Sequence, residues 1–201
     1  MLWNRSLVMV DKETNTLWSH LLGKAMSGPL KGTRLESIPS TMMTWKAWKE
    51  EYPETTVIRL ARTSRNYDRR FYSRPADFVI GWVHEGEQAY AVGLDEIFRQ
   101  NLLHKVINLS EGANVVVTFD RASTGAGLFC RDLDGQTLHF EYDSPSRMTD
   151  SSTGSKWNTR TGTAIEGPLT GRQLKPLVGI MSYAKSWRKF HPDYRLLKAG
   201  D

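Results

Sequence analysis

The side chains of this 201-residue chain that could do chemistry are a carboxylate, a hydroxyl and a run of guanidinium groups. Asp120 and Ser123 stand at the end of an apolar run, "VVVTFD", with "STGAG" around the second of them. A carboxylate and a hydroxyl at a strand exit can make a small polar pocket that accepts hydrogen bonds or holds a cation. The same pair can close an Asx-type turn on nearby amides, with Gly125 and Gly127 allowing the bend. The second stretch is "TSRNYDRRFY". Arg65, Tyr67, Arg69, Arg70 and Tyr72 interleave guanidinium groups with rings, a mix that suits an anion, a polyanion or a carbohydrate. It suits equally well the clamping of two parts of the chain.

Other chemistries find less support. The five histidines, His20, His84, His104, His139 and His191, show neither i, i+4 spacing nor an HExxH pattern. There is no P-loop, no GxGxxG and no GxSxG. The single cysteine, Cys130 in "GLFCRD", cannot form an internal disulfide or a CxxC site, and reads as a small half-buried residue near a strand end. No metal, no cofactor and no catalytic residue is assigned. The net charge of +5 and pI of about 9.3 permit an anionic partner. The excess sits in "RLARTSRNYDRRFYSRP" and "WRKFHPDYRLLK", which read as solvated segments, so there is no strong nucleic-acid signal. No apolar run approaches the roughly 20 residues of a membrane span. The opening "MLWNRSLVMVDKETN" carries no signal-peptide pattern.

The elements that must position these residues are organised by a repeat. Met9 to Ile58, shifted by 139, falls on Met148 to Leu197 without a gap, and fifteen of the fifty pairs are identical. The shared residues include Trp18 and Trp157, Gly28-Pro29 and Gly167-Pro168, and Trp48 and Trp187. Glycine at these places serves a positive φ or a close approach, and the following proline stiffens a turn. The four tryptophans are expected near the cores of their units. Asp11 and Asp150, each seven residues before the shared Trp, are expected to cap a turn rather than bind a ligand.

Each copy is expected to end in a short helix, "TMMTWKAWKEEYPE" and "GIMSYAKSWRKFHPD", with Met42, Trp45, Trp48 and Met181, Ala184, Trp187 on a core-facing stripe. Pro53 and Pro192 close them. "DFVIGWVHEGEQAYAVGL" predicts two strands joined at Glu85 to Glu87, and "LDEIFRQN" one or two helical turns. "VVVTFD" predicts a strand. "GLFCRDLDGQTLHFEY" predicts a hairpin turning at Asp134-Gly135, and "DSPSRMTDSSTGSKW" a polar loop. The expected architecture is α+β, mainly β, with two related repeat units packed about a pseudo-twofold axis. Residues 1–58 form a partial first unit, 59–76 a basic connecting segment and 77–201 a complete second unit.

The phrases "LVMVDKETNTLWSHLLGKAMSGPLKGTRLE", "TWKAWKEEYPETTVI", "RTSRNYDRRFY" and "DFVIGW" resemble a bacterial family catalogued as domain of unknown function 3179. The resemblance covers nearly the whole chain. It implies an exported or envelope protein, periplasmic or extracytoplasmic, whose first half carries a Cys-Pro-Leu-Cys-Gly motif suited to thiol redox work or soft-metal binding. This chain lacks that stretch and looks truncated. By the same resemblance, Asp120 and Ser123 fall where the two cysteines would stand, and neither can exchange thiols. The function expected is that of an envelope-associated binding or accessory protein with an unidentified ligand or protein partner, more a binder than an enzyme. The alternatives are a fragment of a thiol redox or soft-metal protein whose CxxC half is missing, and a polyanion- or carbohydrate-binding module. A unit without its front half would leave apolar surface open, so self-association is a further expectation.

Overall fold

A computed structural model describes residues 2–3, 6–58, 74–84, 88–98, 104–110, 114–120, 123, 125–144 and 146–198. Among the described residues strands dominate, with three short α-helices and a 3-10 turn at Pro75–Asp77, in a mainly β, α+β fold. A small antiparallel sheet opens the chain: β1 (Leu2–Trp3), β2 (Ser6–Val10), β3 (Leu17–Ser19) and β4 (Lys24–Ser27), paired in chain order. Helix α1 (Trp45–Glu51) follows. Next come β5 (Phe78–His84), β6 (Gln88–Gly93) and α2 (Leu94–Phe98). An antiparallel sheet is made by β7 (His104–Leu109), β8 (Val115–Asp120) and β9 (Gly125–Cys130). The hairpin β10 (Asp132–Leu133) and β11 (Gln136–Thr137) leads to a second small sheet. Its strands are β12 (Phe140–Ser144), β13 (Arg147–Asp150), β14 (Lys156–Asn158) and β15 (Ala164–Glu166). Finally β16 (Ile180–Tyr183), α3 (Ala184–Phe190) and β17 (Arg195–Leu197) return to the β5–β6 hairpin. The sheet order there is β16-β5-β6-β17, with β17 parallel to β6. Among the described residues no helix is long and apolar enough to cross a membrane.

The core follows from strand periodicity. Side chains alternate faces along β5. Phe78, Ile80 and Trp82 join Ile107, Val117 and Phe119 in one apolar cluster, while Val79 joins Ala91, Leu21 and Trp187 in another. β5 is thus buried on both faces, which is why it reads as a nearly continuous apolar run. Gly81 has no side chain because the Trp187 ring takes that space: a Cβ there would lie 2.4 Å from Trp187 Cε2.

Many positions 139 apart adopt the same conformation. Helices α1 and α3 coincide under that shift, as do β3 and β14. Met9 faces Trp18 as Met148 faces Trp157, and an irregular register precedes each Trp. Gly28 and Gly167 have φ of 103° and 94°. A Cβ on either would come within 2.8 Å of the backbone of Thr16 or Ser155. The Gly-Pro-Leu turn is therefore a left-handed corner pressed against a strand, a position for glycine.

The two segments also touch reciprocally. Leu21 packs with Trp187 of α3, and its carbonyl accepts a hydrogen bond from His191 Nε2 at 3.3 Å. Arg160, which stands 139 residues after Leu21, reaches Glu51 of α1. The loop of each segment meets the helix of the other, the reciprocity of a twofold contact.

Several expectations need correction. "DSPSRMTDSSTGSKW" is not a polar loop throughout, because Arg147–Asp150 is a strand. Its inward side chains, Met148 and Asp150, are fully buried, and packing against Trp157 outweighs the polarity of its neighbours. The hairpin at Asp134-Gly135 exists, but β9 pairs with β8 and β12 with β13. Trp157 and Trp187 are fully buried, whereas Trp18 and Trp48 are only half-buried. Met42 and Trp45 are exposed rather than core-facing. The physical reason is local: α3 is flanked by β16 and β17 on the central sheet, whereas residues 41–44 and 56–58, their counterparts beside α1, are not strands.

Candidate functional site

Asp120 is the last residue of β8, where alternation places it on the same face as Val116 and Thr118. That face looks toward the loop after β14. Thr118 Oγ1 donates to the Thr159 carbonyl at 2.7 Å, and Asp120 Oδ2 accepts from Arg160 at 3.4 Å. The loop is shaped by Asn158, whose Oδ1 accepts from the amides of Arg160 (2.8 Å) and Thr161 (3.2 Å). This turn projects Arg160 between β8 and α1.

On the α1 side, Arg160 donates to Glu51 Oε1 at 3.1 Å and approaches Glu50 Oε2 at 3.9 Å. Asn158 Nδ2 donates to both Glu51 oxygens, at 3.3 and 3.1 Å. The side chains of Asp120, Arg160 and Glu51 are 7%, 14% and 18% exposed, so little water screens these pairs. Ser123 docks the start of the helix: its carbonyl accepts from Thr44 N at 2.8 Å, and Thr44 Oγ1 caps α1 at Ala47 N. The Ser123 hydroxyl is buried and accepts from Gly125 N at 3.2 Å. Asp120 and Ser123 thus stand at one joint, and the sequence reading of it missed Arg160, Glu51 and Asn158. Their signal was present in the 139-residue shift, because Arg160 answers to Leu21 and Glu51 to Phe190. An apolar contact at one joint has become an ionic one at the other.

Beside this joint lies a cavity of about 580 Å³. Met42, Met43 and Trp48 come from the first segment, Phe129 from β9, and Ile180 and Met181 from β16. Arg160 and Thr161 supply a polar end. Arg160 Nε is buried and has no hydrogen-bond partner among the described residues. Among the described residues no three His, Cys, Asp or Glu side chains converge to hold a metal ion. Arg65, Tyr67, Arg69 and Arg70 lie outside the described residues.

The sequence profile of the family described as Protein of unknown function (DUF3179) matches this chain over residues 1–77 and 73–194. The chain belongs to that family. The two DUF3179 matches divide the chain between its two small sheets. No curated protein and no solved structure matches it.

Proposed function

We propose that this DUF3179 chain is a binding protein rather than an enzyme, and that it holds a small, uncharged, largely apolar ligand in the cavity at the Arg160 joint. The observation that carries this reading is the cavity itself. Its walls are mostly thioether, aromatic and branched aliphatic side chains, with Ser40, Thr41, Arg160 and Thr161 as its polar lining. Asp120 and Ser123, the residues best suited to acid, base or nucleophile work, are engaged in holding the joint together. The guanidinium is already matched by carboxylates, which disfavours an anion there.

Nile red, a neutral apolar dye, tests the reading. It should bind saturably with a blue-shifted emission. Met42→Glu, at a 56%-exposed position that the fold does not need, should weaken binding about tenfold by charging the wall. Equal affinity in wild type and variant would remove the proposal. An envelope location is supported by the family resemblance, and fractionation of the full-length protein in its host tests it: a cytoplasmic signal alone would exclude it.

A further inference from the structure

A second cavity, of about 850 Å³, lies where the first segment meets the second. It is the counterpart of the first under the 139-residue shift: Leu21, Trp187 and His191 stand where the other cavity has Arg160, Trp48 and Tyr52. The linings have nonetheless diverged in charge. Lys24 and Arg34, on neighbouring backbone, contribute two fixed cations, and Lys175 contributes a third. Among the described residues none of the three has an ion-pair partner. His20, His84 and His191 share the lining with them. Asp132 is its carboxylate, occupied by hydrogen bonds from Asn114 and Thr137.

The counterparts of Lys24, Arg34, Lys175 and His20, 139 residues away, are Thr163, Gln173, Glu36 and Thr159. The fold therefore does not require basic side chains at these positions, since the other segment is built without them. Lys24 is half-buried and Arg34 and Lys175 are exposed, so solvent screens their mutual repulsion. Their summed positive field around one cavity nonetheless favours an anion. We propose that this cavity is a binding site for a multivalent anion, a small molecule carrying phosphoryl or carboxylate groups. It adjoins the apolar cavity at Arg160, sharing Pro39, Pro176, Leu177 and Ile180 with it, but the three basic side chains line this cavity alone.

The charge pattern supplies its own controls. Calorimetric titration of the full chain at low ionic strength, with inorganic pyrophosphate in one arm and citrate in the other, should show saturable one-to-one binding of at least one probe. The stronger arm separates phosphoryl from carboxylate recognition. The triple variant Lys24→Thr, Arg34→Gln, Lys175→Glu carries the residues that the other segment already accommodates. It should keep its circular dichroism spectrum and its Nile red binding, and lose at least about a hundredfold in affinity for the anion. The dependence of affinity on salt should flatten with it. Unchanged anion affinity in the folded triple variant would overturn the proposal, as would the absence of binding by both probes at millimolar concentration.

Discussion

Asp150 is fully buried and accepts hydrogen bonds from Thr153 N (2.7 Å), Thr153 Oγ1 (2.8 Å) and Trp157 Nε1 (3.0 Å). Asp11 makes the same bonds to Thr14 and Trp18, in a more open setting. The turn-capping role was readable because an acid followed at fixed distances by Thr and Trp occurs twice. Removing a buried acceptor strands its donors without water, so Asp150→Ala should cost about 2–4 kcal/mol in urea unfolding. Asp11→Ala should cost less, because solvent can reach Trp18. The Asp11 carboxyl is also held below its ordinary 3.8, first by the Trp18 indole N–H and then by the Thr14 amide. A group with a lowered folded pKa contributes stability that is present above its unfolded value and lost as pH falls through the folded one. The Trp18 indole proton resonance should therefore titrate below pH 3.8, and Asp11→Asn should abolish that titration. A midpoint at or above the ordinary value would separate Trp18 from Asp11.

At the scale of elements, the short helices and the β5–β6 hairpin were legible because their apolar periods are local. β7 was not: "HKVINL" alternates weakly, and it is positioned partly by Asn108, whose side chain pairs with both backbone groups of Phe140. β13 was hidden for a related reason, since its inward face includes an aspartate whose burial is made tolerable by Thr153 and by the buried Trp157 indole. Such strands are specified by partners far along the chain. The helix–loop joints show the same dependence. Arg160→Leu would leave Asp120 and Glu51 without the cation that bridges them, and breaking a buried pair on one side costs about 3–5 kcal/mol. Adding Glu51→Phe and Asp120→Asn removes the two carboxylates that Arg160 bridges and restores the Leu–Phe chemistry of the other joint. Urea midpoints of the single and triple variants should show most of the loss recovered. A triple variant as unstable as the single one would mean that the two joints are not interchangeable.

Across the whole molecule, no sequence pattern announces the basic cavity, since Lys175 joins Lys24 and Arg34 only through the packing of one segment on the other. What the sequence did hold was the mismatch between copies: three cations opposite Thr163, Gln173 and Glu36. The cavity draws lining from both segments, so its ligand should stabilise their union rather than either part. Binding to the folded chain alone adds about 2.7 kcal/mol at a ligand concentration a hundred times Kd. For a chain of this size that corresponds to a rise of about 5–10 °C in Tm. Pyrophosphate should therefore raise the thermal midpoint by that amount at low ionic strength. The tryptophan signals of the first segment (Trp18, Trp48) and the second (Trp157, Trp187) should melt together in its presence. The Lys24→Thr, Arg34→Gln, Lys175→Glu variant should show no rise. An equal rise in that variant would place the anion elsewhere on the chain, and a rise confined to one segment's signal would show that the cavity does not join the two.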